Sequence, residues 1–216
     1  MTAPTIDELL VGDDPARWAE LGFTVSDECC CEIGGVCLRF LGGDCSERGI
    51  LGWTLRDLAG TELDGLPTTV SEHPSRDLAL AHPNGVVAID HIVAASPSLE
   101  RSIPALQRAG LDLRRIRDEP TPAGAPRQAF FRLGAEILEL IQEPEDSIQR
   151  AGGPDHPARF WGLAVRVEDL DRTVELLGSH VSEIRHAVQA GRRIATLRRS
   201  AGVTVPLALM SAPAKG

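Results

Sequence analysis

Two spacings of apolar residues organise the second half of the chain. Residues 86–94 form an apolar-rich run of strand length, after which Leu99, Ile103 and Leu106 recur at helical spacing and Gly110 supplies a stop. The apolar segments 128–133 and 136–142 then read as strands. The pattern recurs further on. Residues 162–167 read as a strand, Leu170, Val174 and Leu177 as a helical stripe under an Asp169 cap, and 192–198 and 204–210 as strands. Pro104 inside the first stripe removes a backbone donor, which predicts a helix that is kinked or begins only near Ser102.

The two stretches align as repeats. Leu99, Arg101 and Ile103 fall on Leu170, Arg172 and Val174, and His91 falls on Gly162. Gly110 and Gly134 fall on Gly178 and Gly202 at a slightly shorter spacing, the result of deleting about one helical turn. Each repeat has the order β-α-β-β-β. A more diverged copy is expected at the N-terminus: a strand at 8–12, a helix at 15–21 ended by Gly22, and strands at 36–41 and 50–55. Segments 60–85 and 143–157, rich in Pro and Gly, read as linkers. The expected organisation is an α+β chain with an N-terminal βαβββ-like module at 1–80 and a domain at 86–211 made of modules 86–143 and 158–211. The alternative to a third copy is an added N-terminal sheet that covers an edge or forms a dimer contact.

Composition narrows the function. A net charge of −9 opposes binding to phosphate backbones, so no nucleic-acid role is expected. No stretch approaches the roughly 20 apolar residues of a membrane span, and the acidic start at Asp7, Glu8, Asp13 and Asp14 is unlike a signal peptide. A cytoplasmic location is therefore expected. Cysteine is odd in number, with Cys29, Cys30 and Cys31 consecutive, which suits reduced thiols rather than a disulfide framework. Zinc at Cys29, Cys30, Cys31, Cys37 and Cys45 is disfavoured, because no C-x2-C pair occurs and consecutive strand residues face opposite ways.

The run Ile89-Asp90-His91-Ile92-Val93, with Gln128-Ala129-Phe130-Phe131-Arg132-Leu133-Gly134 and Ile137-Leu138-Glu139-Leu140-Ile141 downstream, resembles a module of the glyoxalase-like (vicinal oxygen chelate) superfamily. The segment from Trp161-Gly162-Leu163 to Asp171, with Gly191-Arg192-Arg193-Ile194-Ala195-Thr196-Leu197, resembles its partner module. The resemblance implies a cupped mixed sheet with helices on its outer face, a small-molecule cleft, pairing of modules within or between chains (hence a homodimer), and a divalent metal held by a first-strand histidine and a last-strand glutamate. His91 and Glu139 stand at those two positions.

Physics singles out Glu139 separately. It interrupts a strand that is apolar on both faces, and a buried, uncompensated carboxylate costs several kcal/mol. A metal ion compensates it, and imidazole with carboxylate suits Zn, Fe, Mn, Ni or Co better than Ca. A hydrogen-bonded partner such as His91 compensates it equally. The second module departs from the family, because Gly162 and Leu207 align with His91 and Glu139 and neither can ligate. Gln128, Glu136 and Gln142 are the remaining candidates for the shell, with alternation sending Glu136 and Gln142 to the opposite face.

Gln128, Phe130, Trp161, Arg192 and Met210 are the expected substrate contacts, and Phe131 and Phe160 are apolar neighbours with core packing as the alternative. The arginines 192, 193, 198 and 199 split across two faces, so at most half point inward. Trp18 and Trp53 are assigned to the core. No P-loop, dinucleotide glycine pattern or G-x-S-x-G elbow is present. Three functions remain: a metal-dependent lyase, isomerase or dioxygenase acting on a small carbonyl or vicinal-oxygen compound, with Glu139 as metal ligand or proton carrier; a metal-free, antibiotic-type binding protein with a degenerate site; and a scaffold whose cleft is filled.

Overall fold

A computed structural model describes residues 3–42, 46–75, 80–120 and 124–213. The chain forms β1 (Thr5–Val11), α1 (Pro15–Glu20), β2 (Cys30–Ile33), β3 (Val36–Phe40), β4 (Ile50–Arg56), β5 (Thr68–Val70), β6 (Val86–Ser96), α2 (Leu99–Arg108), β7 (Asp112–Arg117), β8 (Gln128–Leu133), β9 (Glu136–Gln142), α3 (Glu145–Arg150), β10 (Arg159–Val167), α4 (Leu170–Leu177), β11 (Arg185–His186), β12 (Arg193–Thr196) and β13 (Leu207–Met210). It is the expected α+β architecture, with strands dominant in two mixed sheets.

The strands and helices gather into two compact units. The first holds Met1–Asp7, Gly52–His73 and His91–Trp161; the second holds Glu8–Leu51, Pro74–Asp90 and Gly162–Gly216.

In the first unit the strand order is β6-β9-β8-β7, with β6 and β9 parallel and the others antiparallel. Alternation gives this sheet two characters. Ile92, Ala94, Ala129, Phe131, Leu138 and Leu140 are all buried, and α2 packs on β7, β8 and β9 through Leu99, Ala105 and Leu106. Each large apolar side chain so buried contributes about 1.5–3 kcal/mol. The expected late start of α2 is corrected, because the helix begins at Leu99. Ser98 Oγ accepts from the Arg101 amide, and Gln142 Oε1 accepts from the Leu99 amide at 3.1 Å while its Nε2 donates to the Pro97 carbonyl. Pro104 is tolerated because it lies on the exposed side, where the carbonyl it leaves without a donor, that of Glu100, meets water.

In the second unit the order is β10-β13-β12-β11, again with first and last strands parallel, and α4 packs on β12 under the Asp169 cap. The same unit contains β2-β3-β1, where β1 and β3 are parallel and β2 and β3 form a hairpin. Trp18 is buried there and donates from Nε1 to Asp13. Trp53, in the first unit, is buried edge-on to Phe160 at 5.0 Å, so both tryptophans are core residues.

Three expectations need correction. The segments read as linkers carry β5 and α3. The register sets Gly162 opposite Pro206 and Ala164 opposite Ala208, so Ala208, not Leu207, holds the place of Glu139, which lies opposite Val93. Finally, a disulfide was not expected, yet Cys30 and Cys37 are joined as one, with Cα atoms 5.9 Å apart. Cysteine arithmetic along the chain missed a cross-strand neighbour. Cys45 lies outside the described residues.

Candidate functional site

The second face of the β6-β9-β8-β7 sheet carries His91, Glu139 and Gln128 among the apolar Val93, Phe130, Ile137 and Ile141. Parallel register places Val93 opposite Glu139 and His91 opposite Ile137, so His91 and Glu139 share this face. Their side chains meet, with His91 Nε2 at 3.4 Å from Glu139 Oε2, both largely withdrawn from solvent. Phe130 lies directly opposite Glu139 on β8 and is half-buried, and Gln128, one repeat along, lies opposite Ile141.

Gln128 is 3% exposed, and its Oε1 is buried without a hydrogen-bond partner. Buried amide oxygens without a donor are uncommon and costly, so this atom marks a place where a donor is wanted. The Arg115 guanidinium stands over the Phe130 ring at 5.1 Å. Arg115 was missed from sequence because β7, polar and charged, has no strand-like alternation. Only pairing with β8 makes it a strand, with Arg115 set opposite Phe130 across an irregularity in register.

The other sequence candidates fall elsewhere. Gln142 is occupied at the start of α2, and Glu136 is buried on the helix-bearing face, where loss of hydration raises its carboxyl pKa above the usual range, as alternation requires. Trp161 is exposed at 47% at the end of the first unit. Arg192 and Met210 belong to the second unit. Met210 is buried on β13, and Arg192 is buried with Nη2 at 2.6 Å from Asp90 and Nε on the Ser211 carbonyl at 3.0 Å. Arg193 turns to the opposite face and holds Asp171 of α4, so the expected split of this arginine pair is found.

The gathered groups are an imidazole and a carboxylate in contact, a carboxamide oxygen and a cation over an aromatic ring. They can move a proton between ligand and protein, accept a hydrogen bond, and hold a flat or anionic group. His91 and Glu139 offer one nitrogen and one oxygen donor, the mixture that borderline divalent metals take. Among the described residues, the His, Cys, Asp and Glu group of three or more with ligand spacing is Cys30, Glu32 and Cys37, on β2 and β3.

Parallel-closed βαβββ modules with a face of this kind define a glyoxalase-like domain. Residues 90–196 match the family described as the Glyoxalase/Bleomycin resistance protein/Dioxygenase superfamily. The match includes every sequence-derived site residue except Met210.

No curated protein matches the sequence. Among solved structures, a mutant 4-hydroxymandelate synthase from Streptomyces coelicolor is 14% identical with a TM-score of 0.62, covering 100% of this chain and 95% of that one. A xylose isomerase-like TIM barrel/4-hydroxyphenylpyruvate dioxygenase fusion protein is 13% identical with a TM-score of 0.64; it covers 98% of this chain, which spans 49% of its length. Methylmalonyl-CoA epimerase from Mycobacterium tuberculosis is 22% identical over 62% of this chain and 94% of that one, with a TM-score of 0.49. The first two likenesses are likenesses of fold alone. No helix among the described residues is long and apolar enough to cross a membrane.

Proposed function

We propose that the protein is an enzyme acting on a small carbonyl or vicinal-oxygen compound, of lyase, isomerase or dioxygenase type, with His91 and Glu139 at its centre. The observation that carries this reading is the 3.4 Å approach of His91 Nε2 to Glu139 Oε2 on a sheet face that also buries an acceptor, Gln128 Oε1, with no donor among the described residues.

The pair fits a divalent ion of the Zn, Fe, Mn, Ni or Co group by donor chemistry, supplying two of the three protein ligands usual in catalytic sites. When bound, such an ion polarises a substrate oxygen. The remaining work falls to the chain: Gln128 Oε1 accepts from a substrate hydroxyl or amide, Phe130 with Arg115 holds a flat or anionic portion, and Glu139 carries a proton when it is not a ligand. Trp161, Arg192 and Met210 are proposed as further substrate contacts. Residues 1–80 are proposed as a diverged module preceding a two-module domain at 86–211, in a cytoplasmic homodimer.

Elemental analysis of wild type, His91→Ala and Glu139→Ala after exposure to these metals tests the assignment. A near-stoichiometric ion lost in both variants supports it, and equally low metal in all three overturns the metal-dependent reading. A second reading, a metal-free binding protein, is favoured by Gly162 and Ala208, which offer no ligand in the other module. Thermal stabilisation by a small aromatic compound without any ion would support that alternative.

A further inference from the structure

The β2-β3 hairpin carries a second cluster of metal-ligating groups, outside the face described above. Its turn is Gly34-Gly35, both with positive φ (60° and 88°), and Ile33 pairs with Val36, so the hairpin is closed by two residues of the type such turns require. That tight turn fixes the register. Glu32 stands opposite Cys37, Cys30 stands opposite Arg39, and Cys30, Glu32, Cys37 and Arg39 share one face. The ligand atoms of Cys30, Glu32 and Cys37 all lie within 4.8 Å of one another. Cys30 Sγ reaches Glu32 Oε1 at 3.5 Å.

Backbone pairing holds these groups together without help from a ligand. His82 braces β2 by placing Nε2 at 3.0 Å from the Glu32 carbonyl, and on the same face Arg39 is held by Glu8 at 2.7 Å. Cys31 points to the other face and is fully buried there, so it does not compete as a ligand.

We propose that Cys30, Cys37 and Glu32 form a thiol-controlled site for a zinc-class divalent cation, available when the two cysteines are reduced and closed when they are joined. Two thiolates and a carboxylate are the donor set of a borderline-soft, tetrahedral ion and a poor set for calcium or magnesium, with the fourth position left to water. The two states exclude each other because both use the same sulfur atoms. A dithiol or phosphine reductant gives the S–S bond two electrons and two protons are taken up. Binding of the cation then displaces the thiol protons and forms two metal–sulfur bonds.

Cobalt(II) reports thiolate ligation directly, so it is titrated into the full chain before and after phosphine treatment. The expected result is one cobalt per reduced chain with thiolate-to-cobalt absorption, displaced by zinc, and none in the oxidised chain. Cys30→Ser and Cys37→Ser abolish the band, Cys29→Ser keeps it, and Glu32→Gln weakens affinity by about tenfold or more. No band in the reduced chain, or a band that survives in Cys30→Ser, overturns the proposal. Because a cysteine variant can fail by misfolding, wild type supplies a second readout. Zinc should protect Cys30 and Cys37, but not Cys29, from alkylation read by mass spectrometry, and equal labelling with and without zinc overturns the site.

Discussion

A β-carbon on Gly162 would lie 2.7 Å from the carbonyl oxygen of Pro206, and Leu163 donates its amide to that same oxygen at 2.9 Å. The position equivalent to His91 is thus closed by backbone, and the second module has no room there for any side chain. Gly162→Ala is expected to cost about 1–3 kcal/mol, because β10 and β13 must part or shift. Gly162→His should be worse and should not add a metal ligand. Chemical denaturation of both variants checks this, and a stable Gly162→His with increased metal content would contradict it.

Arg192 is held by Asp90 and by the Ser211 carbonyl, so its first effect is on stability. Removing one partner of a mostly buried pair takes from Asp90 the guanidinium that contacts it, and Arg192→Ala should lose about 3 kcal/mol. Arg192→Ala combined with Asp90→Ala should recover part of that loss in a double-mutant cycle. Purely additive losses would mean the pair is not energetically coupled.

Gln142 joins the end of β9 to the start of α2 through two hydrogen bonds. Gln142→Ala frees the Leu99 amide and should cost about 1 kcal/mol, while Gln142→Glu keeps the acceptor and should cost less. Urea midpoints for the two variants distinguish a cap from simple packing.

Burial raises the carboxyl pKa of Glu136 above its ordinary 4.5, with its own and the Ala135 amides acting weakly the other way. The unfolded chain therefore ionises first as pH rises, and the stability contributed by the protonated carboxyl is present below 4.5 and is lost as pH climbs through the higher folded value. Glu136→Gln should be more stable than wild type at neutral pH, with the difference disappearing below 4.5. A difference that does not vary with pH would remove ionisation as its cause.

His82 behaves in the opposite sense. Burial lowers its pKa from the ordinary 6.5, outweighing the hydrogen bond to the Glu32 carbonyl, and its Nδ1 accepts from the Thr24 amide at 3.0 Å, a bond that protonation breaks. Stability from the neutral ring is present above 6.5 and is lost as pH falls through the lower folded value. Thermal melts of His82→Gln should show a flatter pH profile in that acidic window than wild type.

By itself the sequence determined most strand and helix positions from 86 onward and singled out His91 and Glu139, because apolar periodicity and a charge inside an apolar strand are local signals. It also indicated that Arg192 and Arg193 would turn to opposite faces, since alternation needs no partner. What it did not carry was pairing across distance. β7 is polar and becomes a strand only beside β8, so Arg115 over Phe130 was invisible. Cys30 and Cys37 meet only because a two-glycine turn folds β2 onto β3, although Gly34-Gly35 between apolar runs was a legible hairpin signal left unused. The exact partner of each residue in β13, and hence Ala208 rather than Leu207 at the place of Glu139, was decided by register, because a slip of one residue along a strand changes every face and leaves composition unchanged.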